Sequence, residues 1–133
     1  MAASDNVVRA GFTPKYKDIS TLTTMLTYNT APASEQKMKP TPFQKCHYST
    51  LYDPPIEEFS VVRTELNKGE EHMDPVDGPS ILIVTSGDGK LKGAAKEFEI
   101  KMGSVWFIGA GEAITLKTQG EMVAHRAFVE AES

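Results

Sequence analysis

The alternation of apolar and polar residues in the second half of the chain predicts strands. Residues 97–102 alternate strictly, with Phe98, Ile100 and Met102 on one face and charged side chains on the other, as in a strand with one face in water. Apolar runs predict further strands at residues 58–66, 80–85, 105–108, 114–117 and 122–129, and residues 43–51 contain a candidate for another. Short strands separated by glycine turns are typical of an antiparallel jelly roll or barrel, so we predict a mainly β fold.

Glycine, proline and charged residues predict where these strands end. Residues 67–77 are charged and contain glycine and proline, which predicts a solvated loop. The Gly-Asp-Gly sequence at residues 87–89 predicts a hairpin turn into a further short strand. The run at residues 80–85 is apolar, which predicts a strand covered on both faces. The order of turn, strand, Gly103 and apolar strand within residues 86–108 resembles the second half of a cupin unit.

The N-terminal part of the chain follows a different pattern. Asp18 is a candidate N-cap, and apolar residues follow it at helical spacing, which predicts a short helix with Ile19, Leu22 and Leu26 on one face. Residues 31–42 are rich in Ala, Pro, Ser, Lys and Gln without apolar periodicity, as is typical of a surface linker. We therefore divide the chain into an N-terminal segment, a linker and a β domain, at residues 1–30, 31–42 and 43–133.

Length, charge and cysteine content limit the class of protein. The chain has 133 residues and a net charge of -4, which allows one domain with its own core and argues against a nucleic-acid-binding protein. No apolar run approaches the roughly 18 residues that a membrane helix needs, and the first residues lack the pattern of a secretory signal. Cys46 is the only cysteine, so no internal disulfide can form. We expect a cytoplasmic protein with neither a membrane nor a nucleic acid as partner.

Polar, cationic and turn-forming residues are densest at residues 4–18. The Ser-Asp-Asn sequence at residues 4–6 predicts a turn, and Val7-Val8 predicts a short piece of strand. Arg9 follows directly before an Ala-Gly pair, where a minimal side chain lets a ligand approach the backbone, and Lys15 adds a second cation. A guanidinium and an ammonium beside a tight turn suit an anionic small molecule such as a phosphate or an enediolate. A solvated basic loop leading into the helix is the alternative interpretation of the same residues.

Residues that could bind a metal ion are few and scattered. Zinc needs three or four His, Cys, Glu or Asp ligands in one place, whereas His47, His72 and His125 lie in different segments. Cys46 and His47 are neighbours, and on a strand their side chains would point to opposite faces. We interpret His72 and the acidic pair Glu70-Glu71 as solvated side chains of the predicted charged loop. We therefore predict that this chain alone forms no metal site.

Several segments resemble the zinc-dependent type I phosphomannose isomerases, and most closely the fungal members of that family. The longest is residues 1–15, MAASDNVVRAGFTPK, which resembles the end of the family signature. The resemblance continues over nearly the whole chain, at residues 25–28, 52–59, 78–82 and 125–130. Members of the family carry their zinc-binding residues upstream of this signature. The resemblance therefore implies the C-terminal portion of a longer enzyme, with zinc in the full-length parent and none bound by this chain alone.

The resemblance also implies an activity and two site residues. The family interconverts mannose 6-phosphate and fructose 6-phosphate through an enediol, a reaction that supplies GDP-mannose synthesis. Arg9 matches an active-site arginine of the family and is the expected catalytic residue, and Lys15 matches a lysine at the same site and is the expected substrate-binding residue. The expected partners are the sugar phosphate and the upstream part of the same enzyme.

The same resemblance assigns the segments of the chain to domains. Residues 1–30 would belong to the catalytic domain, and residues 43–133 would form a C-terminal cupin-like domain. A different class of function remains open as the alternative, namely a free-standing cupin-like module for binding or interaction without catalysis.

Overall fold

A computed structural model describes residues 7–129. Between Lys37 and Met38 the chain divides into two units. The described residues of the first unit contain one helix, and those of the second contain seven strands in a single antiparallel sheet. The prediction of a mainly β fold is therefore confirmed. No helix within the described range is long and apolar enough to cross a membrane.

Helix α1 spans Ile19–Met25, where the apolar spacing predicted it. Asp18 is its N-cap, because the carboxylate accepts hydrogen bonds from the Thr21 hydroxyl at 2.7 Å and from the Thr21 backbone N–H at 2.9 Å. The side-chain bond, followed by the backbone bond, holds the pKa of Asp18 below its usual value. No residue of α1 is buried, so packing within the described chain adds little to the stability of this helix.

The short strand predicted at Val7-Val8 is wrong. Neither residue belongs to a strand, because no segment within residues 7–129 forms a hydrogen-bonded ladder with them. The chain instead runs irregularly up to α1. The turn predicted at residues 4–6 lies outside the described residues.

The sheet of the second unit is built around its last strand. The strands are β1 (Thr41–Pro42), β2 (Ser49–Tyr52), β3 (Ser60–Met73), β4 (Ser80–Lys92), β5 (Glu97–Lys101), β6 (Val105–Ile108) and β7 (Ile114–Phe128). Their order across the sheet is β1-β2-β3-β7-β4-β5, and β6 also pairs with β4. β5 and β6 pair with opposite halves of β4, so together they form one interrupted edge. The two-residue strand β1, which contains a proline, forms the other edge.

Strand β3 is longer than the sequence pattern predicted. The predicted charged loop is wrong for residues 67–73, which belong to β3. Lys68 and Gly69 adopt positive φ angles of 84° and 127°. At this point the register against β7 shifts, but the strand continues. A β-bulge of this kind changes which residues face inward. Glu71 and Met73 consequently point into the core, whereas His72 is exposed on the strand and not in a loop.

Strand β4 continues through the residues predicted to form a hairpin turn. Gly87 adopts a φ of 75°, and a Cβ at this position would lie 1.8 Å from the carbonyl oxygen of Glu121 on β7. The glycine lets two strands approach closely at a bulge, where the register shifts between Gly87 and Lys90. The predicted hairpin is therefore wrong. The chain turns after β4 ends, where the Gly93 N–H donates to the Lys96 carbonyl at 3.0 Å.

Strand β7 joins two segments that the sequence pattern separated. Residues 114–117 and 122–129 were predicted as two strands, but Ile114–Phe128 is continuous. Glu121 pairs with Asn67 and Thr118 pairs with Gly69, so the residues between them lie opposite the bulge of β3. The gap between the two predicted strands is therefore an irregularity in pairing and not the end of a strand.

The core lies on one face of the sheet. It is a cluster of buried apolar side chains from the loops and from every strand after β2, namely Phe43, Val62, Leu66, Met73, Val76, Leu82, Val84, Leu91, Ile100, Ile108, Ile114, Leu116, Met122, Ala124 and Phe128. Along β4, Leu82 is fully buried while its neighbours Ile81 and Ile83 are 53% and 39% exposed. The prediction that residues 80–85 are covered on both faces is therefore wrong for the described chain.

Candidate functional site

The two predicted site residues lie in one loop of the first unit. The carbonyl of Arg9 accepts a hydrogen bond from the backbone N–H of Asp18 at 3.0 Å, which closes the loop between these two residues. Because Asp18 is also the N-cap of α1, the base of the loop is fixed to the start of the helix. The backbone N–H of Lys15 donates to the Thr13 hydroxyl at 3.2 Å within the loop.

The side chains of Arg9 and Lys15 present two positive charges at the surface of this loop. Arg9 is partly buried and Lys15 is exposed. No ion pair or side-chain hydrogen bond joins them to each other or to another residue of the range 7–129. The loop thus brings both residues into one segment and leaves their donor groups available to an anionic ligand.

The same unit exposes large apolar side chains around the two cations. Phe12 is fully exposed, and more than half of each of Tyr16, Ile19, Met25 and Tyr28 is accessible to solvent. Soluble proteins seldom leave so many large apolar groups uncovered in a short segment. This surface is typical of a segment that packs against another part of a larger protein.

The histidines do not form a metal site in the described chain. No group of three or more His, Cys, Asp or Glu residues between positions 7 and 129 is arranged to hold a metal ion. The ring of His72 lies 3.1 Å from the Thr115 hydroxyl, and that of His125 lies 3.2 Å from the Thr85 hydroxyl, on separate parts of the sheet. Burial, followed by the charge of Arg63, lowers the pKa of His125 and so disfavours its charged form.

Glu71 is a buried carboxylate that the sequence pattern missed. The acidic pair at Glu70-Glu71 was interpreted as surface charge, but Glu71 is only 4% exposed. Its two oxygens accept the backbone N–H groups of His47 at 2.7 Å and Tyr48 at 3.1 Å, which fixes the loop before β2. The Lys-Gly pair that forms the β3 bulge is the sequence signal that could have revealed this inward position.

Cys46 lies beside this buried carboxylate, which disfavours its thiolate form. Its Sγ donates to the carbonyl oxygen of His72 at 3.5 Å. Burial, with a further contribution from Glu71, raises the pKa of the Cys46 thiol to about 12. A thiol that remains protonated near pH 7 neither attacks a substrate nor binds zinc readily.

A broad, open cavity with a volume of about 870 Å³ lies on the second unit, between β4, β5 and β7. Charged residues of both signs line it, among them Lys90, Glu97, Glu99 and Lys117. Lys90 and Glu97 neutralise each other in an ion pair at 2.7 Å. The surface therefore presents no excess of one charge that would select a ligand.

Comparison with protein families and relatives identifies the chain. A family model described as phosphomannose isomerase type I C-terminal matches residues 49–93. The mannose-6-phosphate isomerase of Cryptococcus neoformans var. neoformans is 50% identical over 133 residues, which are 98% of this chain and 31% of the relative. The mannose-6-phosphate isomerase of Saccharomyces cerevisiae is 47% identical over 136 residues, again 98% of this chain and 32% of the relative.

Solved structures share the fold. The mannose 6-phosphate isomerase of Salmonella typhimurium, bound to substrate (f6p) and a zinc atom, superposes with a TM-score of 0.77 at 27% identity and covers 98% of this chain. The apo form of the same enzyme gives a TM-score of 0.77 at 27% identity. In each case the match covers 32% of the solved chain, so this chain spans about a third of the length of its relatives. The chain belongs to the type I phosphomannose isomerase family, of which it matches the C-terminal portion.

Proposed function

We propose that this chain is the C-terminal portion of a mannose-6-phosphate isomerase and contributes Arg9 and Lys15 to its active site. The parent enzyme interconverts mannose 6-phosphate and fructose 6-phosphate through an enediol and supplies GDP-mannose synthesis. The observation that carries this proposal is the 50% identity to a mannose-6-phosphate isomerase over 98% of the chain. The same observation disfavours a free-standing cupin-like module, because the relatives that match the whole chain are isomerases.

The charges of the loop suit the proposed reaction. Negative charge develops on the sugar oxygens as the enediolate forms, and a fixed guanidinium stabilises that charge without reorganising. The backbone of Arg9 is held at the base of a closed loop, which restricts the positions that its guanidinium can occupy. Lys15 is exposed farther along the loop, where its ammonium can bind the substrate phosphate or assist proton transfer.

The remainder of the active site belongs, in this proposal, to the upstream part of the enzyme. One relative of known structure is described as zinc-bound, and we infer that the parent uses zinc to polarise the substrate oxygens. In this proposal the zinc ligands come from the upstream part, which is compatible with the finding that no group of His, Cys, Asp or Glu among residues 7–129 is arranged to hold a metal ion. Residues 1–30 would then belong to the catalytic domain, residues 31–42 to a linker and residues 43–133 to a C-terminal cupin-like domain.

The exposed apolar side chains of the first unit support this division. Phe12, Tyr16 and Ile19 have no cover among residues 7–129, as expected if the upstream part packs against them. We place the enzyme in the cytoplasm, since Cys46 is the only cysteine of the chain and no internal disulfide can form, which is compatible with a reducing compartment.

The test is complementation with a separately produced upstream part. We expect fructose 6-phosphate formation from mannose 6-phosphate only when the chain, the upstream part and zinc are combined. In the complemented enzyme, Arg9→Ala should lower kcat by about 100- to 1,000-fold, the usual effect of removing one group that stabilises an oxyanion. Lys15→Ala should mainly raise KM if the ammonium binds the phosphate.

Matched variants separate these effects from a general loss of charge. Arg63→Ala removes a partly buried arginine of the sheet, and Lys17→Ala removes an exposed lysine two residues after Lys15. Both variants should retain activity close to that of the unmodified chain. Zinc-dependent isomerase activity of the chain alone would contradict the assigned division, and an active Arg9→Ala complex would contradict the role of Arg9.

A further inference from the structure

A buried arginine lies inside the sheet of the second unit. Arg126 is on β7, and its side chain is only 1% exposed. It pairs directly with Val62 on β3 and with Leu82 on β4, and these residues share its face of the sheet. Ala124 and Phe128 lie two residues before and after it on the same buried face. The guanidinium is thus surrounded by apolar side chains of the core.

The hydrogen bonds of this guanidinium are incomplete. Its Nε donates to the Ser80 hydroxyl at 2.9 Å. The other two nitrogens, Nη1 and Nη2, are buried without an acceptor in the part of the chain that the structure describes. Burial lowers the pKa of Arg126, since the charged form is poorly solvated there. A buried charge without a partner is strongly unfavourable for the folded state.

The described residues provide no opposite charge for Arg126. Glu71 is the one buried acid between residues 7 and 129. Its two oxygens already accept the backbone N–H groups of His47 and Tyr48. A water molecule could accept hydrogen bonds from Nη1 and Nη2, but it would not neutralise the charge. The electrostatics therefore favour an anion over water as the partner of Arg126.

A second buried donor lies on the same face, across one strand. Trp106 on β6 pairs with Leu82, which in turn pairs with Arg126. Neighbouring strands are about 4.8 Å apart, so the backbones at Arg126 and Trp106 are separated by about 10 Å, which two long side chains can bridge. The indole Nε1 of Trp106 is also buried without an acceptor in the described chain. Three N–H-bearing nitrogens thus lie in one row of the interior.

Hydroxyl groups extend this polar interior. Thr64 lies next to Val62 on the buried face of β3, and its hydroxyl is 2.8 Å from that of Ser49 on β2. Both residues are buried, as is Ser80. One hydrogen bond between two hydroxyls leaves one O–H free to donate elsewhere. The interior near Arg126 is therefore rich in donors.

We propose that Arg126, Trp106 and Ser80, here called the donor cluster, form an internal site for a small oxyanion with a carboxylate or phosphate group. Ser80 orients the guanidinium, so that the N–H groups of Nη1 and Nη2 can donate to two oxygens of one anion. The indole N–H of Trp106 donates to a third oxygen or to the opposite side of the anion. This site would stabilise the sheet independently of the catalytic role proposed for the first unit.

A cavity of about 230 Å³ at one end of the sheet is not part of this site. Leu51 and Phe128 line it, but no residue of the donor cluster does. Asp53 and Glu57 also line it, so their carboxylates disfavour an anion in the cavity itself. The proposed anion therefore lies beside the guanidinium of Arg126 and not in this cavity.

Thermal unfolding of the 133-residue chain tests the proposal. The probes are inorganic phosphate and acetate, compared with chloride at the same ionic strength. A ligand of the folded state raises Tm with the logarithm of its concentration above Kd. We expect such a rise for the unmodified chain with at least one of the two oxyanions, and none for Arg126→Met. Ser80→Ala should weaken binding by about tenfold, the effect of one lost charge-assisted hydrogen bond.

Two controls keep the result specific to the interior. Arg63→Met removes an arginine on the opposite face of the sheet and should leave the response to oxyanions unchanged. Trp106 is the only tryptophan of the chain, so its fluorescence reports on the donor cluster directly. We expect a saturable fluorescence change with the same half-saturation as the shift in Tm. If Arg126→Met does not fold, Arg126→Lys takes its place in the measurement of Tm. The fluorescence titration of the unmodified chain then provides the second test.

The opposite results would overturn the proposal. If neither phosphate nor acetate changes Tm or fluorescence beyond the effect of chloride, the donors are satisfied by water and the site binds no anion. An equal response of the unmodified chain and Arg126→Met would show a general salt effect. A response to acetate alone or to phosphate alone would support the site and identify which oxyanion it selects.

Discussion

The two units of the chain use their apolar residues in opposite ways. In the first unit, α1 buries no residue, and side chains as large as Phe12 and Tyr16 are exposed. In the second unit, alternate residues of long strands enter one core, where Leu82 and Leu116 are fully buried. Similar side chains thus stabilise the fold of this chain where a sheet gives them a common face.

This difference also separates the proposed roles of the two units. Arg9 and Lys15 lie in the first unit, whose described residues 7–37 include no buried side chain, although catalysis requires that charged groups be held in place. The loop closure at Arg9 and the cap at Asp18 provide local order only. We infer that packing against the upstream part supplies the remaining order, while the sheet of the second unit holds its own shape.

The largest effect on stability is expected from the core of the sheet. Leu82→Ala should lower the free energy of unfolding by about 2–5 kcal/mol, because the cavity left behind loses both burial and contacts. Denaturant unfolding followed by circular dichroism measures this change. Ile81→Ala on the same strand is the matched control and should cost much less, since Ile81 is 53% exposed. Equal losses for the two variants would show that the outer face is also covered.

A smaller, pH-dependent effect is expected at Cys46. Its folded-state pKa of about 12 lies above the ordinary value of 9.0, so the folded state binds more protons than the unfolded state between these values. The free energy of unfolding should therefore be unaffected below pH 9 and should fall as the pH rises from 9 towards 12. Unfolding curves across this range measure the slope, and Cys46→Ala should reduce it. If Cys46→Ala leaves the slope of the unfolding free energy against pH unchanged, the raised pKa of the Cys46 thiol is contradicted.

The smallest effect is expected in the first unit. Asp18→Ala removes the acceptor for the Thr21 N–H and hydroxyl, so α1 should lose helical population. The backbone chemical shifts of residues 19–25 measure this loss, and Asp18→Asn, which retains a capping oxygen, should preserve more helix. Since the pKa of Asp18 is lowered, its contribution is present above the ordinary pKa and is lost as the pH falls through the folded-state value. Global unfolding of the sheet should not change, and a change in it would contradict the separation of the two units.

Sequence patterns were most successful where a local rule determined the structure. The helix at Ile19–Met25 follows from a capping aspartate and apolar spacing, both of which act within a few residues. The strand at Val105–Ile108 follows from an apolar run after Gly103. Family resemblance located Arg9 and Lys15, whose shared loop the structure then described, whereas their catalytic and substrate-binding roles stay predictions.

The errors occurred where a glycine or a charged run was interpreted without knowledge of the neighbouring strand. The sequence pattern at Gly87 predicts the end of a strand, but this glycine allows β4 to pass close to β7 at Glu121. The charged residues after Leu66 predict a loop, but the bulge at Gly69 returns Glu71 to the interior. Turns and bulges use the same residue types, and only the pairing partner distinguishes them.

Patterns in the sequence were enough to predict the β character of the second unit, the position of α1 and the family resemblance. The three-dimensional fold was needed to show that β3, β4 and β7 are long strands with irregular pairing, that Glu71 and Arg126 are buried, and that Ile81 and Ile83 on β4 are exposed. These two groups of features depend on interactions of different range. Capping and alternation act between near neighbours in sequence, whereas burial and register depend on strands that are distant in sequence and meet only when the sheet forms.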